Sequence, residues 1–197
     1  MEGGPVSGTG GCHLNVAPWR ASSLRSRNDE DRGRGGEVSL ARSEQTELIK
    51  SAIQAYLARL DRDPADGSEG LRRLVLALDA LVAVYFRTDD VEPGEEDDAP
   101  EKGYSAQYQR AAEAYPELGL YPYADPGGDP GEDEPMVADA IDDIADIAGD
   151  LTEVLWHFEN SSEETGIWDF RFGYQHHWGD HLHSLRNYLH SSRIAAW

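Results

Sequence analysis

Cysteine and long apolar runs are almost missing from this chain of 197 residues. The single cysteine, Cys12, cannot form an intramolecular disulfide, so the fold does not depend on oxidation. This suits a protein of a reducing compartment. No apolar run approaches the roughly 20 residues that a membrane-spanning helix needs. The N-terminal stretch MEGGPVSGTGG also lacks the charged-then-apolar pattern of a signal peptide. We therefore expect a cytoplasmic protein that does not bind membranes.

Basic residues are also scarce: 17 Lys and Arg stand against 38 Asp and Glu, a net charge of −21. The excess lies in residues 88–160, which hold 22 acidic side chains and two basic ones, Lys102 and Arg110. Such a field repels nucleic acids and anionic lipids and attracts basic partners. The composition predicts a protein partner with a basic surface and no direct binding of nucleic acid.

Complete catalytic motifs are absent as well. The sequence has no Gly-rich loop that ends in Lys-Ser or Lys-Thr, and no Gly-x-Ser-x-Gly nucleophile elbow. Cys12 lies in a segment without hydrophobic periodicity, which is a poor setting for an activated nucleophile. These absences favour a protein that is not an enzyme and that carries no cofactor.

Composition divides the chain into a tail and one domain. Residues 1–36 are rich in Gly, Ser and Arg and predict a disordered tail, whereas residues 37–197 show the hydrophobic periodicity of an acidic helical domain. Within this domain, residues 88–103 combine eight carboxylates with little hydrophobicity. This composition predicts a disordered acidic loop.

Helical spacing of apolar residues recurs throughout the domain. The predicted helices cover about 43–62, 68–87, 104–115, 135–158 and 167 to the C-terminus. Ser43 and Ser105 are the predicted caps of the first and third helices, Pro135 suits the first turn of the fourth, and the second should be the most buried. No stretch alternates with period two, so no strands are expected. The predicted architecture is an all-α, antiparallel bundle of four to five helices.

The fourth predicted helix has an apolar stripe on one side and carboxylates on the other, and these carboxylates are expected to point to solvent. They are Asp139, Asp142, Asp143, Asp146, Asp150 and Glu153. Binding of Mg²⁺ would require them to converge with acidic ligands on a second helix. Only Glu44 and Glu47 are candidates for that role, so a solvated acidic face is the favoured interpretation.

The stretch HHWGDHLH, residues 176–183, places four histidines within eight positions. On a helix, His177 and His181 share the side that can face the bundle interior, while His176 and His183 face solvent. We expect the two interior imidazoles to bond backbone carbonyls or tyrosine hydroxyls. If His181 is buried and neutral, acidification should destabilise the fold.

A metal site is the alternative interpretation of the same stretch. Imidazoles four residues apart on a helix can bind one metal ion. The candidate ligands are His177 and His181 together with Asp146 and Asp150 of the fourth helix. The stretch lacks the Glu of the His-Glu-x-x-His motif, so the metal interpretation is not favoured.

Large aromatic side chains crowd the start of the last predicted helix. Phe172 falls outside the apolar stripe, so this surface is expected to be exposed or to face another subunit. Aromatic residues beside arginines are good anchors for a protein partner. The candidate binding residues are Trp168, Phe172, His177, Trp178, His181, Arg186 and His190.

The chain resembles, from about Leu48 to His190, a bacterial family known only as domain of unknown function 5063 (DUF5063). The stretch ADAIDDIADIAGDL looks like the family's central helix, and WDFRFGYQHHWGDHLHSLRNYLH looks like its C-terminal signature. The matching residues are Trp168, Phe172, His177, Trp178, Gly179, His181, Leu189 and His190. The family's Leu-Arg pair appears as Leu185–Arg186, displaced by one position. The resemblance implies an all-α domain and brings no activity.

The concentrated charge and the missing catalytic set together predict a non-enzymatic adaptor or regulatory module that binds a protein through its acidic surface. Two alternatives stay open. One is a metal-dependent hydrolase of an all-α bundle type, built on His177, His181 and the helix-four carboxylates. The other is a nucleic-acid mimic whose acidic face competes for DNA-binding proteins. The sequence does not set the oligomeric state.

Overall fold

The computed structural model describes residues 40–94, 99–100, 103–125 and 136–192. The predicted tail lies outside these ranges, as do residues 95–98 and 101–102 of the predicted acidic loop. The start of that loop, however, is held in place. Asp89 and Gln45 exchange two hydrogen bonds, of 2.7 and 2.9 Å, and Arg171 Nη1 donates to the Thr88 carbonyl oxygen at 2.6 Å. The expected disorder is therefore wrong for Thr88 and Asp89.

Helices make up most of the described part of the chain. They are α1 (Arg42–Leu57), α2 (Gly67–Tyr85), α3 (Tyr104–Ala114), α4 (Ala140–Asn160), α5 (Glu163–His176) and α6 (Trp178–Ser192). Two 3₁₀ turns, Ala58–Asp61 and Pro64–Asp66, connect α1 to α2. The predicted all-α bundle is confirmed. None of the described helices combines the length and apolarity that crossing a bilayer requires.

Both predicted serine caps are wrong. Helix α1 begins after Ala41, whose N–H donates to Glu44 Oε2 at 2.9 Å, so Ser43 lies inside the first turn. Helix α3 begins after Gly103, which has a φ of +59°, and Ser105 lies inside its first turn. Glycine adopts this left-handed conformation without the strain of a side chain.

A short hairpin shows that the expectation of no strands is wrong. Strand β1 (Leu120–Tyr123) pairs antiparallel with β2 (Met136–Asp139), with Leu120 opposite Asp139. Helix α4 therefore begins at Ala140, where Asp139 Oδ1 accepts the Ile141 N–H at 3.0 Å. The predicted start at Pro135 lies outside the described residues. Four-residue strands are too short to show clear alternation.

Helix α4 is the centre of the bundle and packs against α1, α3, α5 and α6. Twelve of its 21 residues are buried, against eight of 19 in α2, so the prediction that α2 is the most buried is wrong. Small residues such as Ala145, Ala148 and Gly149 let neighbouring helices approach α4 on several sides. The face that carries its carboxylates is therefore partly covered.

The last predicted helix is in fact two helices. Helix α5 begins after Ser162, whose Oγ accepts the Thr165 N–H at 3.1 Å, and α6 follows a break at His177, with φ −149° and ψ −86°. The start of α6 lies directly on the last turn of α5. A Cβ on Gly179 would lie 1.9 Å from the Tyr174 carbonyl oxygen, so only glycine fits there. This break turns α6 against α4.

Candidate functional site

Six carboxylates follow one another along α4 and its cap, and we call them the acidic stripe. They are Asp139, Asp142, Asp143, Asp146, Asp150 and Glu153. The expectation that these side chains point to solvent is wrong for two of them, since Asp143 and Asp150 are only 4% and 7% exposed. The reason is the central position of α4, which lets α5 and α6 cover part of the stripe.

Asp143 joins three elements through its two oxygens. His181 Nδ1 of α6 donates to Asp143 Oδ1 at 2.9 Å, and the Tyr121 hydroxyl of β1 donates to Asp143 Oδ2 at 2.5 Å. His181 Nε2 lies 3.6 Å from Asp146 Oδ2. The expectation that this imidazole bonds only backbone carbonyls or tyrosine is therefore wrong, because its partners are carboxylates.

A second imidazole meets a second carboxylate, Asp150, about two turns further along α4 than Asp143. His177 Nδ1 lies 2.6 Å from Asp150 Oδ2, and the side chains are 52% and 8% exposed. The ring centroids of His177 and His181 are 5.1 Å apart. The structure thus brings together all four residues that the metal interpretation named, but His177 is hydrogen-bonded to Asp150 and His181 lies 3.6 Å from Asp146. In the described ranges, no group of three or more His, Cys, Asp or Glu is placed to hold a metal ion.

Burial and charge shift the pKa values of His181 and Asp146. Burial alone would lower the pKa of His181, but the hydrogen bond to Asp143 and the charges of Asp143, Asp146 and Asp142 outweigh it, and the pKa is raised. Burial raises the pKa of Asp146, against the opposing charge of His181. The imidazole of His181 thus favours its positive form beside the stripe.

Tyrosines of α3 flank the N-terminal part of the stripe. The Tyr108 hydroxyl donates to Asp139 Oδ2 at 3.1 Å, and the Tyr104 hydroxyl donates to Asp142. Sequence reasoning missed both residues, although their spacing of four on a predicted helix places them on one face. It also missed Tyr121, whose contact with Asp143 depends on the unpredicted hairpin.

A small pocket lies at the C-terminal part of the stripe, between α4, α5 and the start of α6. Its volume is about 120 Å³, and its lining residues are Asp150, Glu153, Val154, Asp169, Gly173, His177 and Trp178. His157 Nε2 lies 4.0 Å from Asp169 Oδ2. Sequence reasoning missed Asp169 and Gly173, because only the break at His177 brings α5 and α6 together here.

The other predicted binding residues do not join this site. Trp168 and Phe172 stack at a centroid distance of 4.7 Å, and Phe172 is 45% exposed, as expected. Arg186 forms a bidentate pair with Asp79 of α2, with distances of 2.8 and 3.2 Å. His190 is exposed in the last turn of α6. The seven predicted residues thus fall into separate places, of which only His177, Trp178 and His181 border the stripe.

These features define an all-α domain with a carboxylate–imidazole site on its central helix. The chain belongs to the family described as a domain of unknown function, DUF5063, whose model matches residues 43–195. The fold is similar to that of protein BF1032 from Bacteroides fragilis, a structural genomics target. The TM-score is 0.57 at 15% identity, over 78% of this chain and 92% of that chain. This likeness shows the fold alone. No curated protein matches the chain.

Proposed function

We propose that this domain is a non-enzymatic protein-binding module whose acidic stripe binds a basic segment of a partner protein. The observation that carries the proposal is the imbalance of charge along α4. Among the residues that the structure describes, no Arg or Lys pairs with Asp142, Asp143 or Asp146, and the basic group beside Asp143 and Asp146 is the imidazole of His181. A row of carboxylates with so little counter-charge attracts a cationic partner.

The length of the stripe sets the length of the partner segment. Asp139 and Glu153 are 14 residues apart, which on a helix with a rise of about 1.5 Å per residue is about 21 Å. An extended chain covers about 3.3 Å per residue, so six or seven residues would match the stripe. We therefore expect a short basic segment rather than a single side chain.

The tyrosines beside the acidic stripe can add contact area to the electrostatic attraction of a partner. Asp142 and Asp146 are partly exposed, and Tyr104 and Tyr108 lie beside them with their hydroxyls on stripe carboxylates. Tyrosine contributes more binding energy to protein interfaces than most residues, since its ring buries apolar surface of the partner while its hydroxyl forms a hydrogen bond. Charge then speeds association, and the tyrosines add contact area.

The proposal is tested with a fluorescent Gly-Arg repeat of eight residues, titrated with the 197-residue chain and followed by fluorescence anisotropy. The stripe variant carries Asp142→Asn and Asp146→Asn. The control variant carries Glu47→Gln and Glu113→Gln, which remove two exposed charges elsewhere. We expect the stripe variant to bind about fivefold more weakly or worse, since each partly exposed pair contributes up to about 1 kcal/mol. The control should change affinity less than about twofold.

Two results would overturn the proposal. One is an equal loss of affinity in both variants, which would show that the repeat responds only to the net charge of the chain. The other is no binding of the repeat at low ionic strength, where attraction between exposed charges is strongest. Circular dichroism of each variant confirms that the helices are intact.

A further inference from the structure

The hairpin has one edge that can accept a further strand. Its register and hydrogen bonds decide which backbone groups face outwards. The Ala140 N–H donates to the Gly119 carbonyl oxygen at 3.3 Å, and hydrogen-bonded pairs alternate with open pairs along antiparallel strands. The next hydrogen-bonded pair is therefore Tyr121 with Ala138. The backbone N–H and C=O of Val137 then point away from β1.

Proline removes a donor from the opposite edge of the hairpin. Pro122 lies opposite Val137, and the N–H that it lacks is one that would have pointed outwards from β1. Strand β2, Met136–Asp139, contains no proline. The sheet that the described residues form has two strands, and β2 packs mainly against β1 and the start of α4. Since an unpaired strand edge is a template for another extended chain, β2 is the place where a third strand can add.

The outer face of the hairpin is apolar and exposed. Successive side chains of a strand point to opposite faces of the sheet. Leu120, Pro122 and Val137 share the outer face, where Leu120 and Val137 are 70% and 71% exposed. The inner face carries Tyr121, whose hydroxyl reaches Asp143 of α4. An added strand therefore places one set of its side chains beside the apolar outer row and the other set on the side of α4.

Charge determines which side chains suit the inner face. Strand β2 ends at Asp139, the first carboxylate of the acidic stripe, and Asp142 follows in the first turn of α4. Basic side chains on the inner face would be attracted by these carboxylates, whereas acidic ones would be repelled. The edge of β2 thus suits an extended segment in which basic and apolar residues alternate.

We propose that β2 accepts an extended segment of a partner protein as a third, antiparallel strand. Basic residues of that segment alternate with β-branched apolar ones. The apolar side chains lie beside Val137 on the outer face, and the basic ones lie towards the acidic stripe. The residue opposite Val137 exchanges two backbone hydrogen bonds with it. The inference deepens the proposed function and rests on it for the charge of the partner, but it adds a strand conformation that attraction alone does not require.

The experiment uses a fluorescent peptide of four Lys-Val repeats, titrated with the full chain and followed by fluorescence anisotropy. Opposite residues of antiparallel strands share a face, so the valines oppose Val137 and their N–H groups point to β2. N-methylation of the valines removes these donors, whereas N-methylation of the lysines removes only the donors of the far edge. We expect the first change to weaken binding about tenfold or more, and the second less than about twofold.

A matched pair of variants places the added strand on β2. Val137→Pro removes the outward N–H and none of the donors that pair with β1, whereas Val137→Ile keeps both the N–H and the β-branched shape. We expect Val137→Pro to weaken binding of the peptide about fivefold or more, and Val137→Ile less than about twofold. In ¹H–¹⁵N spectra of the unchanged chain, the Val137 amide should become protected from hydrogen exchange when the peptide binds.

The inference is overturned if methylated valines and methylated lysines weaken binding equally, if the unmethylated peptide does not bind, or if Val137→Pro binds it as tightly as the unchanged chain. Protection of the Val137 amide that grows with protein concentration in the free chain would also overturn it, because a second copy would then occupy the edge. A failure of the proposed function is distinguishable from these results. It is decided by the Gly-Arg repeat, which has no β-branched residues, and by the variants of Asp142 and Asp146.

Discussion

His181 Nδ1 lies 2.9 Å from Asp143 Oδ1 across the contact between α6 and α4. The second oxygen of Asp143 accepts the Tyr121 hydroxyl, so one buried carboxylate connects α4, α6 and the hairpin. If either His181 or Asp143 is removed, the polar group of the other residue is left without its hydrogen-bond partner in a place that water reaches poorly. The contact therefore determines both the stability of this part of the bundle and its response to pH.

The raised pKa of His181 predicts a pH dependence with a definite sign. A histidine whose pKa is raised by folding stabilises the protein fully below its unfolded pKa of about 6.5, and this stabilisation is lost as the pH rises through the folded value. We expect His181→Gln to lower the free energy of unfolding more at pH 6 than at pH 9. Urea unfolding at both pH values measures the difference.

The exposed His190 provides the control for this experiment, since His190→Gln removes an exposed imidazole of the same helix and should cost little. The groups that face His181 are Asp142, Asp143, Asp146 and His177. An NMR titration of His181 should give a pKa above about 6.5. The sequence predicted that acid would destabilise the fold if His181 were buried and neutral; carboxylates surround the ring instead and raise its pKa, so the predicted sign is the opposite. An equal loss at pH 6 and pH 9 would contradict the assignment.

Loss of the Asp143 carboxylate should be among the costly changes in the chain. Asp143→Ala leaves the Tyr121 hydroxyl and the His181 imidazole without their acceptor, and we expect a loss of about 2–4 kcal/mol. Asp143→Asn should cost less, because the amide oxygen still accepts one bond. As a control, Asp61→Ala removes a carboxylate that is 72% exposed and should cost less than about 1 kcal/mol. Similar losses for the two alanine variants would show that Asp143 does not bridge the elements.

The helices and the family could be predicted from the sequence because both depend on local pattern. The spacing of apolar residues in α4 and the signature around His177 and Trp178 are visible without knowledge of the fold. The contacts of the site are not local: His181 reaches Asp143 only because the chain breaks at His177 and α6 turns onto α4. A single continuous helix, as predicted, gives the correct face for His181 but the wrong neighbours.

Gly179 should be nearly irreplaceable at the start of α6. An added Cβ would lie 1.9 Å from the Tyr174 carbonyl oxygen, and a backbone atom cannot move aside as a flexible side chain can. We expect Gly179→Ala to lower the free energy of unfolding by about 2 kcal/mol or more, since overpacking forces the backbone to shift. Gly119→Ala is the control, because nothing lies within 4 Å of its added Cβ, and its effect should stay within about 0.5 kcal/mol. A mild effect at Gly179 would mean that α5 and α6 meet less closely.

Two phenylalanines of α5, two residues apart, should differ widely in their contribution to stability. Phe170 is fully buried against Trp178, with a centroid distance of 5.2 Å, whereas Phe172 is 45% exposed and stacks on Trp168 and His176. We expect Phe170→Ala to cost about 3–5 kcal/mol and Phe172→Ala less than about 1 kcal/mol, since it loses mainly the stacking. Urea unfolding of both variants measures the two losses. If Phe172→Ala were as costly as Phe170→Ala, another surface would have to cover the Phe172 ring in solution, and sedimentation at increasing protein concentration would show whether that surface belongs to a second copy of the chain.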